Sequence, residues 1–192
     1  YTSFLTFLDY IAEYKTIRIE NQNEYIAKEI KEHFDINYDK LKSIGIKCLI
    51  FDLDNTIALI DTKLIPEEVK TLFIKLKKDF NIVIISNNTK KRISMFCDPI
   101  DTTFVSFALK PLTFGFRKIK NKFNYKKEQM CMIGDQLMTD ILGANRYGIY
   151  TILVDPLGKK DLKVTSINRF FEKKILKKLT KTGELERGKY YE

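Results

Sequence analysis

The sequence predicts an α/β fold in which a mainly parallel five-stranded sheet lies between two layers of helices. Three observations carry this. Five short apolar runs stand out: IKCLIF (46–51), FNIVII (80–85), FVSFAL (104–109), QMCMI (129–133) and YTILV (150–154). Four of them are near-continuous rather than alternating, as expected of strands covered on both faces. Helix-like segments separate them, and strands alternating with helices imply right-handed crossovers. Finally, the chain has 192 residues, 44% apolar and 31% charged, enough for one well-filled core and too few for two comfortable ones. The result is a three-layer, Rossmann-like sandwich.

Taken in order, residues 1–45 form a flank expected to be helical, with Phe4, Phe7, Leu8, Ile11, Ile26 and Ile30 at helical spacing. Residues 46–158 hold the five strands and make the core. Within it, 66–78 (PEEVKTLFIKLKK) is the clearest helix. Pro66 suits the first helical position, and Glu67 and Glu68 suit the positive end of the dipole. Val69, Leu72, Phe73 and Leu76 supply its apolar face. Residues 89–97, 112–123 and 137–146 are further helices. Residues 159–192 form a basic tail whose amphipathic helix, 164–179, packs on or extends the core. Val164, Ile167, Phe171, Ile175 and Leu179 make its predicted stripe, with Lys173, Lys174, Lys177 and Lys178 elsewhere.

The formal charge is +9, which favours anionic partners such as phosphorylated substrates, anionic lipid or nucleic acid. The tail alone carries 11 Lys or Arg against 5 Asp or Glu. A second basic cluster comprises Arg117, Lys118, Lys120, Lys122, Lys126 and Lys127. Aromatic residues interleave poorly with these charges, so no dedicated nucleic-acid binding is expected. Cys48, Cys97 and Cys131 are odd in number and lack metal spacing, which points to a reducing compartment. No apolar run approaches the roughly 18 residues of a spanning helix. The expected location is the cytoplasm, with peripheral attachment to the inner membrane face. The sequence begins at Tyr1, which leaves an upstream targeting segment and an organelle matrix open. The single histidine, His33, is far from every motif.

The chemistry gathers at the strand ends. The first run closes on Asp52-Leu53-Asp54-Asn55-Thr56, the second on Ser86-Asn87-Asn88, the third on Lys110-Pro111. The fourth closes on Gly134-Asp135-Gln136, with Thr139 and Asp140 just beyond. In a parallel sheet these ends share one edge, where ligands bind. A carboxylate such as Asp52 can attack phosphorus and carry it as an aspartyl phosphate. Asp54, two residues on and pointing the same way along a strand, can protonate the leaving oxygen and later activate water. Magnesium prefers oxygen ligands and would need carboxylates from both strand ends, here Asp52 and Asp135. Lys110 and Ser86 would hold the remaining phosphate oxygens. Each element alone is weak, since DxD occurs in loops and Ser-Asn-Asn is an ordinary turn or cap. Four in order, each closing a strand-like run, are not.

DLDNT, Ser86-Asn87, Lys110-Pro111 and GDQLMTD together resemble the four motifs of the haloacid dehalogenase superfamily of phosphotransferases. A response-regulator receiver domain uses similar residues, but its phosphorylated aspartate lies on a later strand and its lysine comes last. DINYDKLKSIGIK, ISNNTKKR, GDQLMTDILGANRYGIYTILVDPL and the tail INRFFEKKILKKL…RGKYYE narrow the likeness to the YqeG family of subfamily IIIA. That group is related to mitochondrial phosphatidylglycerophosphate phosphatases, and the likeness covers roughly residues 35–192. It implies Asp52 as nucleophile and Asp54 as acid/base. It implies Ser86, Asn87 and Lys110 as phosphate ligands, and Asp52, Asp135 and the Asp54 backbone carbonyl as magnesium ligands. Thr56 and Asp140 would support them. Superfamily members often carry a cap over the site, but residues 55–85 and 87–109 each have room only for a helix and a strand. A capless site admits large substrates. The expectation is therefore a magnesium-dependent phosphomonoester hydrolase. Its substrate would be phosphatidylglycerophosphate, an anionic phospholipid presented at a membrane surface. The alternatives are another bulky target (a phosphoprotein, a nucleic-acid end or a phosphosugar) or a low-activity binding or assembly factor on the same fold.

Overall fold

A computed structural model describes residues 16–19, 36–158 and 163–181. Among the described residues, six strands form one parallel sheet. In chain order they are β1 (Thr16–Ile19), β2 (Cys48–Phe51), β3 (Asn81–Ile85), β4 (Thr103–Val105), β5 (Met130–Gly134) and β6 (Tyr150–Val154). Their order across the sheet is β1-β6-β5-β2-β3-β4, so β2 sits between β3 and β5. Its register sets Phe51 opposite Ile84 on one side and Ile133 on the other. Asp52, the next residue, donates its backbone N–H to the Ile133 carbonyl at 2.9 Å, so its position is held by the ladder itself.

The helices are α1 (Tyr38–Ser43), α2 (Glu67–Leu76), α3 (Lys90–Cys97), α4 (Phe114–Phe123), α5 (Leu142–Tyr147) and α6 (Lys163–Lys181). Alternate strand residues feed two separate cores, which explains why the apolar runs are continuous. Leu49, Phe51, Ile82, Ile84, Cys131 and Ile133 face α2 and α3, packing on Val69, Phe73, Leu76, Ile93 and Phe96. Cys48, Ile50, Val83, Ile85, Met130 and Met132 face α4 and α5, packing on Phe116, Ile119, Ala144 and Tyr147. Ring pairs Phe51–Phe73 and Phe116–Tyr147 tie strand to helix and helix to helix, with centroids 5.0 and 5.9 Å apart. The chain from 52 to 149 spends its length on this core, and neither insertion point carries a cap.

Four expectations need correction. The flank expected to be helical does carry helix α1, but among the described residues it also contributes strand β1, paired with β6 from Thr16 opposite Thr151. Its TIRI sequence is rich in β-branched residues and falls between the helically spaced positions Ile11 and Ile26. Those positions, and His33, lie outside the described residues. Pro66 is the cap of α2 rather than its first residue, with extended backbone at φ −60°, ψ 144°. The third apolar run is strand only to Val105, and Ser106–Leu109 leave the sheet as a loop. Finally, α6 does not bury the predicted stripe. Ile175 does pack on Leu137, Ile141 and Leu153, but Phe171 is 45% exposed and Glu172 is buried in its place. The polar contacts of Arg169 and Glu172, described below, turn the helix that way. Val164, Ile167 and Leu179 have no described side chains.

Candidate active site

The carboxyl ends of β2, β3 and β5 and the loop after β4 meet at one point. Lys110 stands at its centre, buried. Its ammonium lies 2.5 Å from Asp52 Oδ1 and 2.6 Å from Asp140 Oδ1, and it donates to the Ile85 carbonyl at 3.2 Å. All three of its donors are thus engaged. Asp140 Oδ2 accepts the Gln136 N–H at 3.0 Å, at the start of the π-helical turn Leu137–Ile141. Gly134 is what lets Asp140 lie there: a Cβ at that residue would sit 2.5 Å from Asp140 Oδ2.

Asp135 is fixed from two directions. Thr56 donates its hydroxyl to Asp135 Oδ1 at 2.9 Å and accepts the Asp135 N–H at 3.1 Å, while lying 3.4 Å from Asp52 Oδ2. From α6, Arg169 pairs through Nη2 with Asp135 Oδ2 and donates from Nη1 to the Asp135 carbonyl at 2.8 Å. Arg169 Nη1 also reaches Glu172 Oε2 at 3.1 Å, and Glu172 Oε1 accepts the Met138 N–H at 2.9 Å. Carboxylate oxygens of Asp52, Asp135 and Asp140 lie within 4.8 Å of one another.

Asp54 is set apart from this cluster. Asn55, with φ 65°, turns the chain after it. The Asp54 carboxylate accepts from Asn88 Nδ2 at 3.1 Å and from Arg92 Nη2 at 2.9 Å. Arg92 comes from the first turn of α3, which Thr89 caps through its side chain. Ser86 is buried at the end of β3. Its main chain bonds to Val105 and Ala108, and its hydroxyl accepts the Asn88 N–H at 3.1 Å. Asn87 behaves differently. Its carboxamide grips the main chain of Lys110 at both ends, accepting the N–H at 2.7 Å and donating to the carbonyl at 3.0 Å. It positions the lysine, and its side chain is already committed.

The electrostatics follow from burial. Four buried carboxylates, Asp52, Asp135, Asp140 and Glu172, face two cations, Lys110 and Arg169. Burial raises Asp52 well above the ordinary carboxylate range; Lys110 pulls it back, while Asp140 and Asp135 push it further up. Burial likewise carries Asp135 to about 7 against the pull of Arg169. Glu172 is raised by burial too. Burial alone would lower Lys110, but Asp140 and Asp52 outweigh it and hold the ammonium charged.

Comparisons with known proteins place the chain in a family. Residues 20–94 match the family described as mitochondrial PGP phosphatase, and residues 108–166 match the HAD-hydrolase-like family. The chain is 36% identical over 158 residues to a probable phosphatase, YqeG, of Bacillus subtilis, covering 82% of this chain and 92% of that one. It belongs to the YqeG family of haloacid-dehalogenase-like phosphatases. A chloroplastic phosphatidylglycerophosphate phosphatase 1 of Chlamydomonas reinhardtii is 26% identical over 132 residues, 64% of this chain and 49% of that one. An uncharacterised protein of Listeria monocytogenes shares the fold at TM-score 0.50 and 20% identity, over 61% of this chain and 85% of its own. The YqeG-type chain is therefore a phosphatase, a hydrolase of phosphate esters.

Its donor set fits a divalent metal. With all four carboxylates ionised, the buried cluster holds two negative charges beyond those that Lys110 and Arg169 balance, the charge of one such ion. The donors are all oxygens, as a hard cation requires. Four residues at this site are given no role in the sequence reading: Asn88, Arg92, Arg169 and Glu172. Arg169 did leave a trace, as the one arginine on a helix otherwise basic through lysine, with Glu172 three residues on. Arginine is the cation suited to buried, multi-point pairing.

Proposed function

We propose that this YqeG-type phosphatase is a magnesium-dependent phosphomonoester hydrolase that works through an aspartyl phosphate on Asp52. The observation that carries the reading is the placement of Asp52. It is rigid at the end of the central strand, 2.5 Å from a buried ammonium, with a second acid two residues on and engaged elsewhere.

Asp52 Oδ forms the bond to phosphorus as the ester P–O bond breaks. Asp54, oriented by Asn88 and Arg92, gives its proton to the leaving oxygen. It then takes a proton from the water that attacks phosphorus, releasing inorganic phosphate and restoring Asp52. Lys110 offers its charge to the phosphoryl oxygens, and Ser86, whose oxygen accepts from Asn88, keeps its own proton to donate. Asp52, Asp135 and the Asp54 carbonyl would hold magnesium, with Thr56 and Asp140 fixing the carboxylates around it. When bound, the ion supplies positive charge that lets a carboxylate approach a phosphate dianion. Asn87 serves by positioning Lys110.

For substrate, we infer phosphatidylglycerophosphate. The matching family model, the algal relative's name and the capless site support this reading. Asp52→Asn is expected to abolish turnover of p-nitrophenyl phosphate with magnesium; full activity in that variant would refute the mechanism. Comparing phosphatidylglycerophosphate with soluble phosphomonoesters tests the substrate, and release of phosphate from the soluble esters alone would reject it.

A further inference from the structure

Ten large apolar side chains are exposed among the described residues, and four fall within one eight-residue stretch. Phe107, Leu109, Leu112 and Phe114 are 56%, 58%, 58% and 50% exposed. Between them Ala108 and Lys110 are buried. The loop thus alternates: it sends Lys110 inward to Asp52 and throws an apolar residue outward on each side of it. Its backbone is bent to do so. Phe107 and Leu109 both sit in the left-handed region, at φ 47° and 56°, which bulky residues rarely adopt. The loop is anchored on the site, since Phe107 donates its N–H to Asn88, the residue that orients Asp54.

Charge accompanies the apolar surface. Residues 102–127 contain seven Lys or Arg and no Asp or Glu. Arg117 and Lys118 are exposed on α4 directly after the loop, and the Lys118 ammonium lies 4.5 Å over the Phe114 ring. The same pairing recurs beside Arg169, where Lys174 lies 4.4 Å from the exposed Phe170 ring. Exposed rings and leucines rimmed by cations fit the boundary between anionic head groups and acyl chains. They fit a nucleic acid less well, because leucine cannot stack on a base.

We infer that residues 106–114 are a docking loop that inserts Phe107, Leu109, Leu112 and Phe114 into an anionic lipid surface, with Arg117 and Lys118 on the head groups. The inference rests on the lipid-substrate reading above. Docking through this loop brings Lys110 and Asp52 to a phosphate carried at head-group depth. The membrane then closes over a site that has no cap of its own.

The test uses the full chain and two variants, Phe107→Asn, in which asparagine tolerates the left-handed backbone, and Leu112→Ser/Phe114→Ser. Sedimentation with vesicles of phosphatidylcholine and phosphatidylglycerol measures docking. Circular dichroism checks the fold, and p-nitrophenyl phosphate with magnesium checks the chemistry. The double variant is expected to lose about tenfold or more in vesicle partitioning, from the loss of two apolar insertions. It should lose vesicle-borne phosphatidylglycerophosphate turnover in proportion, while retaining turnover of the soluble ester and of detergent-dispersed lipid. Vesicle binding by the folded variants equal to that of the unaltered chain overturns the docking loop, as does failure of the unaltered chain to bind anionic vesicles. Either result leaves the lipid-substrate reading standing if the detergent-dispersed lipid is still hydrolysed. Loop-dependent vesicle binding without hydrolysis of that lipid in any form supports the loop and rejects the substrate.

Discussion

Lys110→Met isolates the charge at the centre of the site. Methionine fills the volume of the lysine stem and removes the ammonium alone. That ammonium holds two carboxylates at 2.5 and 2.6 Å and a carbonyl at 3.2 Å, with only 3% of its side chain exposed, so water screens almost none of it. Its loss leaves Asp52 and Asp140 facing each other in the interior, the situation in which breaking a buried pair costs about 3–5 kcal/mol. Against a total stability of about 5–15 kcal/mol the effect is large. With a urea slope near 2 kcal/mol per molar, the midpoint should fall by about 1.5–2.5 M in metal-free buffer at neutral pH. Asp140→Asn in the Lys110→Met background should restore part of it, with a coupling above about 1 kcal/mol. The pH dependence has a definite sign. Burial raises the Asp52 carboxyl in the folded state and Lys110 is what pulls it back down, so the variant's penalty shrinks as pH falls and Asp52 takes a proton. The chain has no tryptophan, so far-ultraviolet circular dichroism is the probe. A penalty below about 1 kcal/mol, or strict additivity with Asp140→Asn, would show that the lysine does not bridge these strand ends.

Other expectations follow from the same geometry. Gly134→Ala places a methyl 2.5 Å from Asp140 Oδ2 and must displace that carboxylate or the strand end, at a cost of about 1–3 kcal/mol; an unchanged thermal midpoint would contradict the packing. Burial raises the Cys48 and Cys97 thiols to about 12, so iodoacetamide at about pH 8 should label the folded protein far more slowly than the urea-unfolded chain. The same shifts predict that stability falls as pH rises above about 9, where unfolded thiols ionise and folded ones stay protonated. The fall should reach up to about 1.4 kcal/mol per pH unit per thiol and be shallower in Cys97→Ala.

Much of the fold was legible because a parallel sheet covered on both faces writes itself as apolar runs. YTILV coincides with β6, and FNIVII and QMCMI differ from β3 and β5 by a residue at their ends. FVSFAL misled for a physical reason. Hydrophobicity does not report where a side chain ends up, and beyond Val105 the two large apolar residues of this run, Phe107 and Leu109, lie on the surface. The α6 stripe misled similarly: periodicity put Phe171 inward, while the ion pairs of Arg169 and Glu172 outweigh the burial of one ring.

By itself, the sequence determined that Asp52, Ser86, Lys110 and Asp135 end successive segments, and parallel strands bring such ends to one edge whatever the details. The tertiary structure alone decided how the charges there are shared. Arg169, 34 residues beyond Asp135, reaches it from the last described helix. Arg92 turns Asp54 away from the carboxylate cluster, and Asn87 holds the main chain of Lys110 rather than facing outward to a ligand. Such pairings depend on which helix packs over which strand end. The spacing of residues along a chain carries no record of that.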